Sequence, residues 1–174
     1  LSASSKKRVR DVFGPLLDGF LRVNLNDIAE LKKTVKQNKE TVAVFLETIQ
    51  GEGGINIAND KFLKQLSQFC VENNLLLIVD EVQCGIGRPG KWFAYQWSGI
   101  SPDIVPIAKG LGSGIPIGAV LANKKCSEIL EPGDHGSTFG GNPLAMQAGL
   151  ITLDLIEKQN LLKNAYYRGK QILL

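Results

Sequence analysis

The sequence predicts an α/β fold with a central, mostly parallel sheet and flanking helices. Two observations carry this. Short apolar runs alternate with amphipathic stretches at helical spacing, and Gly, Asn and Pro sit at the junctions between them. In such sheets ligands gather beyond the carboxyl ends of the strands, so those ends are where chemistry is sought.

Asn26 and Asp27 are helix-capping residues, and Ile28, Leu31 and Val35 follow at the spacing of an inward stripe. TVAVFLET, residues 41–48, is too apolar for a half-exposed strand, which predicts a place in the middle of a parallel sheet. After the glycine-rich QGEGG loop, a helix is expected over about 59–74. Asn59 or Asp60 caps it, and Phe62, Leu63, Leu66, Phe69 and Cys70 share one face. LLLIVDEV (75–82), DIVPIAK (103–109) and IGAVLA (117–122) are the next three strands. Asn142 and Pro143 open a long helix, with Leu144, Ala148, Ile151, Leu155 and Ile156 expected to face inward. The closing RGKQILL still has helical character and no stop signal. Together with a first residue, Leu1, and a single methionine, Met146, this suggests an excerpt of a longer chain.

The composition excludes several function classes. With 44% hydrophobic and 21% charged residues the chain is of ordinary globular type, and no apolar run approaches the roughly 18 residues of a membrane span. The net charge of +3 owes four positives to Lys6, Lys7, Arg8 and Arg10, a solvated basic stretch rather than a nucleic-acid surface. The three cysteines, Cys70, Cys84 and Cys126, have no CxxC spacing and His135 is the single histidine. No metal site and a reducing, cytosol-like compartment are therefore expected. Trp92, Phe93, Tyr95 and Trp97 crowd one stretch without interleaved basic residues, which points to core or interface packing.

The strand ends concentrate the chemistry. Asp80 follows five apolar residues, and a carboxylate at such a mouth calls for a cationic partner. Lys109 ends DIVPIAK and precedes the flexible GLGSGIPIG. Partly desolvated there, its neutral amine could attack a carbonyl to form a Schiff base. An aldehyde cofactor with a basic ring nitrogen, pyridoxal phosphate, would use both groups. Lys109 would take the aldehyde, and Asp80 would keep the ring nitrogen protonated. Gln83 could reach the ring hydroxyl while Val82 packs on the ring. HGSTFGGNP, residues 135–143, offers the Ser137 and Thr138 hydroxyls at a helix start, an anion site.

The segments LETIQGEGG, LLLIVDEVQCGIGR, PDIVPIAKGLGSGIPIGA and HGSTFGGNPLA resemble, in order, the signature stretches of the class III, fold-type I, pyridoxal-phosphate aminotransferases. Within that family the chain is most similar to the acetylornithine branch. The resemblance implies that Lys109 is the Schiff-base lysine and proton shuttle, that Asp80 pairs with the ring nitrogen, and that Val82 and Gln83 flank the ring. It implies that Ser137 and Thr138 bind the cofactor phosphate of a neighbouring subunit, so that a homodimer is part of the mechanism. Glu52 matches a glutamate that in ornithine-type relatives pairs with a substrate-binding arginine and moves aside for dicarboxylate substrates, and Glu47 a second acid of open role. The implied reaction moves the ω-amino group of N-acetylornithine to 2-oxoglutarate in arginine biosynthesis. Ornithine, succinyldiaminopimelate and 4-aminobutyrate are the alternative donors. Residues 1–155 would belong to the large cofactor domain, and 156–174 to a helix leading toward a small one. The family's own-subunit phosphate loop, ring-stacking aromatic and substrate arginine would lie outside these residues. Departures are Thr48 for a common proline, Cys84 for threonine and Pro89 for threonine.

Two other readings compete. GIGRPG, residues 85–90, matches the dinucleotide-binding GxGxxG pattern. However, Asp80 and Glu81 just ahead would repel a pyrophosphate, and Arg88 and Pro89 occupy the place of a helix start. A non-catalytic homologue is disfavoured by the intact Lys109, Asp80 and Gln83.

Overall fold

A computed structural model describes residues 2–4 and 6–174. Its elements, in chain order, are α1 (Lys7–Val12), α2 (Ile28–Gln37), β1 (Ala43–Leu46), β2 (Ile49–Gln50), β3 (Asn56–Ile57), α3 (Asp60–Glu72), β4 (Leu76–Val79), β5 (Ile104–Ile107), β6 (Ala119–Ala122), α4 (Lys124–Ser127), α5 (Pro143–Lys158) and α6 (Leu161–Ile172). Short 3₁₀ turns occupy Ala94–Trp97 and Lys109–Gly112. The main sheet has the order β1-β4-β5-β6, with β1/β4 and β4/β5 parallel and β5/β6 antiparallel. The mostly parallel α/β architecture is as expected.

The expected helix caps are all in place. Asp27, Asn59 and Asn142 accept the backbone N–H groups of Glu30 (2.8 Å), Phe62 (2.8 Å) and Ala145 (3.0 Å), satisfying donors that a helix start leaves unpaired. Leu31 from α2, Phe62, Leu63, Leu66 and Cys70 from α3, and Leu77 and Val79 from β4 form the larger core cluster, with Phe69 packed against it. Each fully buried leucine there contributes about 1.5–3 kcal/mol. Ile86, Val105, Ile107, Leu111 and Ile156 form a second cluster, and Tyr95 packs against both.

Two expectations are corrected. β1 lies at the sheet edge, not in the middle, with Phe45 half exposed. Its unbroken apolar character comes from Val44 and Leu46 packing on the larger core while Phe45 points away. In α5 the buried face is Ala145, Gly149, Thr152 and Ile156, one residue out of step with the apolar stripe of Leu144, Ile151 and Leu155, which is exposed. Of the five expected inward residues, Ile156 is buried and Ala148 half-buried. Small side chains explain the choice. A Cβ added to Gly149 would stand 3.2 Å from Ile117 Cδ1, so the helix approaches this closely because its inner face is nearly bare.

The QGEGG segment, expected as a loop, closes the β2–β3 hairpin, pairing Ile49 with Ile57 and Gln50 with Asn56. The aromatic stretch packs as expected. Phe93 stacks on Tyr95 with centroids 5.5 Å apart, and Trp97 stacks on Tyr166 of α6 at 5.7 Å. Among the described residues no helix is long and apolar enough to cross a membrane.

Candidate active site

β4 and β5 end side by side and release their polar residues at the same edge. The Asp80 N–H donates to Leu46 O at 2.8 Å and the Glu81 N–H to Pro106 O at 3.1 Å, so both residues are held by neighbouring strands. Their side chains then part. Asp80 is half-buried, and its Oδ1 accepts the Val82 N–H at 2.9 Å. Glu81 is fully buried, with Oε2 accepting the Ala94 N–H and Oε1 the Tyr95 N–H, each at 3.0 Å. Burial pushes the Glu81 carboxyl above its usual range, and these two donors partly offset it.

Lys109 opens the 3₁₀ turn after β5 with φ of +42°, in the left-handed region. A non-glycine residue is strained there by about 1–2 kcal/mol. The turn tolerates this because Leu111 and Gly112 behind it are buried against α5. The Lys109 Nζ donates to Gln83 Oε1 at 3.4 Å, a long contact. The expected desolvation of Lys109 is not observed, since its side chain is exposed. The turn carries it past the last paired residue of β5, beyond the cover of the sheet.

The β2–β3 hairpin supplies the opposite wall. A Cβ on Gly51 would lie 2.4 Å from the Gln83 amide nitrogen, so the glycine makes room for that side chain. Glu47 is half-buried. Burial first, and then the Asp80 charge, raise its carboxyl, while the Gly51 N–H and Lys109 pull it down. Glu52 is exposed and takes a hydrogen bond from Lys6 Nζ at 2.8 Å, which holds its carboxyl below the usual range; Lys109 adds to that effect. Cys84 donates its thiol to Ile49 O at 3.1 Å, and burial with the Glu81 and Glu47 charges pushes the thiol up to about 11. Among the described residues Thr48 Oγ1 is buried without a partner, a penalty of about 1–3 kcal/mol.

The structure therefore brings Lys109, Gln83, Asp80, Val82, Glu47 and Glu52 to one sheet edge. Ser137 and Thr138 lie in an exposed segment before α5, and among the described residues no side-chain hydrogen bond joins them to Lys109, Asp80 or Gln83. Three parts of this edge had no reading in the sequence: the Glu81 clasp on the Ala94–Tyr95 backbone, the Gly51 approach to Gln83, and the Lys6 contact with Glu52. Only Glu81 left a signal, as a carboxylate directly after an apolar run. The glycines of GIGRPG lead to no helix start, since the next helical residue is Ala94. Among the described residues no group of three or more His, Cys, Asp or Glu could hold a metal ion.

The donor set suits an aldehyde-bearing pyridine phosphate. Lys109 offers an accessible amine, and Asp80 keeps Oδ2 free of hydrogen-bond partners among the described residues. Among the described residues the amide nitrogen of Gln83 has no hydrogen-bond partner, while its oxygen faces Lys109.

A family model described as aminotransferase class-III matches residues 1–173. The acetylornithine aminotransferase of Nitrosomonas europaea is 52% identical over 169 residues, covering 97% of this chain and 43% of that protein. Ornithine aminotransferase 1 of Staphylococcus saprophyticus is 47% identical over 174 residues, covering 99% of this chain and 44% of that protein. An ornithine aminotransferase structure from Toxoplasma gondii, with PLP at partial occupancy in its active site, superposes with a TM-score of 0.92 at 37% identity. It covers 98% of this chain and 40% of that one. The chain spans less than half the length of the curated relatives it matches.

Proposed function

The chain belongs to the class-III aminotransferases, a pyridoxal-phosphate-dependent family of enzymes, and from that premise we propose that it carries the central part of an active site transferring an ω-amino group from N-acetylornithine to 2-oxoglutarate. The observation that carries the reading is the meeting of Lys109 and Gln83, 3.4 Å apart, at the sheet edge where Asp80 also emerges.

Bound at this edge, pyridoxal phosphate supplies an electron sink for the charge left when a proton leaves the substrate's amino-bearing carbon. Lys109 would hold the cofactor through its amine and, when free, would move that proton as general acid and base. Asp80 is fixed through its backbone and through Oδ1, and its other oxygen would meet the ring nitrogen and keep it protonated. Gln83 would donate to the ring hydroxyl and Val82 would pack on the ring face. Ser137 and Thr138, which no hydrogen bond joins to Lys109 among the described residues, would serve the cofactor phosphate of the second subunit in a homodimer. If N-acetylornithine is the donor, the reaction belongs to arginine biosynthesis. Residues 1–155 then form part of the cofactor domain, and 156–174 lead toward a smaller one.

Ornithine is the second donor to consider, because ornithine aminotransferases are among the relatives at comparable identity. Initial rates of the complete polypeptide with both amines separate the two. Borohydride reduction followed by peptide mass spectrometry tests the site. The pyridoxyl group is expected on Lys109, and its appearance on any other lysine overturns the assignment.

A further inference from the structure

The backbone on either side of Gln83 is closely held. The Gly85 N–H donates to Glu81 O at 2.9 Å, closing a turn so tight that a Cβ on Gly85 would stand 2.7 Å from that oxygen. The Cys84 thiol, donating to Ile49 O at 3.1 Å, ties the same turn to the β2–β3 hairpin. What freedom remains belongs to the Gln83 side chain, and on the hairpin side its limit is Gly51. Gln83 Cδ and Oε1 lie 2.5 and 2.7 Å from where a Gly51 Cβ would stand, and Nε2 is closer still. The whole amide therefore rests on the bare α-carbon of the glycine.

The hairpin is braced against retreat. Beyond the pairing of Ile49 with Ile57 and Gln50 with Asn56, the Ile55 N–H donates to Gln50 O and the Ala58 N–H to Thr48 O, each at 2.9 Å. Asn56 Nδ2 donates to Gly53 O at 2.9 Å, and the Gly51 N–H is engaged by the Glu47 carboxyl. Gly51 does not adopt the left-handed backbone, so alanine there would meet no conformational penalty of its own. The added methyl would instead collide with the far end of a flexible side chain. Gln83 is the partner that yields, and in yielding it leaves the position from which Oε1 accepts from Lys109 Nζ at 3.4 Å.

We infer that Gly51 is a positioning residue, whose missing Cβ lets the Gln83 amide lie against the hairpin, where it faces Lys109 and can reach the ring hydroxyl of the cofactor. The inference rests on the proposed function, which puts pyridoxal phosphate at this edge. Gly51 acts through Gln83 and touches no reacting atom.

The test titrates pyridoxal phosphate into the complete polypeptide freed of cofactor, followed by absorbance. Gly51→Ala is expected to weaken binding about three- to ten-fold, the range that one hydrogen bond supports, and to place the absorbance maximum of the bound cofactor where Gln83→Ala places it. The urea midpoint stays unchanged. In a Gln83→Ala background the extra methyl finds room and Gly51→Ala has no further effect, whereas general damage to the hairpin would persist there. Unaltered affinity in Gly51→Ala, an absorbance maximum different from that of Gln83→Ala, an equal loss in the Gln83→Ala background, or a lowered urea midpoint overturns the inference while leaving the reading of this edge as the cofactor site intact. Failure of the unaltered polypeptide to bind pyridoxal phosphate overturns that reading and the inference with it.

Discussion

Glu81 is the single carboxyl side chain buried among the described residues, and it is there because each carboxylate oxygen has a backbone donor. It joins the end of β4 to the turn beginning at Ala94, and Val82 and Gln83 lie in the segment closed by that clasp. Replacing Glu81 by alanine leaves two buried N–H groups without acceptors. A loss of about 2–4 kcal/mol in stability is expected from urea unfolding. The pH dependence has a definite sign. Burial, reinforced by Asp80, raises the Glu81 carboxyl above its ordinary value of 4.5, so the folded protein holds this proton more tightly than the unfolded chain. The resulting contribution to stability is complete below pH 4.5 and is lost as pH rises through the folded value. Glu81→Gln should flatten the urea midpoint in that window. The residual slope belongs to Glu47, whose carboxyl is also raised, first by burial. An unchanged slope in Glu81→Gln would show that Glu81 does not titrate in the fold.

At the scale of elements, the position of Lys109 depends on how closely α5 packs behind its turn. Gly149 faces Ile117 Cδ1 and Leu111, and Thr152 Oγ1 donates to Ala148 O at 2.8 Å while meeting Ser113 Oγ at 3.1 Å. The inner face of α5 is thus a run of small groups on which the Lys109–Gly112 turn rests. Gly149→Val overfills that contact, and an unfolding loss of about 1–3 kcal/mol is expected together with weaker cofactor binding. Gly149→Ala is the milder control, since its Cβ would press only on the flexible end of Ile117. Wild-type stability and cofactor affinity in Gly149→Val would refute the close packing. The sequence hid this face for a physical reason. Apolar periodicity selects the bulkiest stripe of a helix, here Leu144, Ile151 and Leu155, whereas close approach selects the smallest. Helix caps, by contrast, were legible, because Asp27, Asn59 and Asn142 act within their own turn of chain.

Across the whole molecule, legibility tracks the same distinction between local and distant causes. Asp80, Gln83 and Lys109 were readable because a strand end places its next residues at the sheet edge whatever else surrounds it. The edge position of β1, the exposure of Lys109 and the Lys6–Glu52 contact depend on what packs from far along the chain, and no local pattern encodes them. The same reasoning leads to a prediction about the 174 residues produced by themselves. Their surface leaves Val120 and Leu121 of β6 and Leu144, Leu150, Ile151 and Leu155 of α5 open to water. β6 is also a sheet edge. Exposed apolar faces of this kind drive association unless other protein covers them. Lys109 stays exposed beside the single wall of the β2–β3 hairpin, and among the described residues no hydrogen bond joins Ser137 or Thr138 to it. The 174-residue chain is therefore expected to associate in light scattering, to bind a hydrophobic dye, and to bind pyridoxal phosphate weakly with no transamination. A monodisperse monomer that transaminates at the rate of the complete polypeptide would show that these residues suffice for the site.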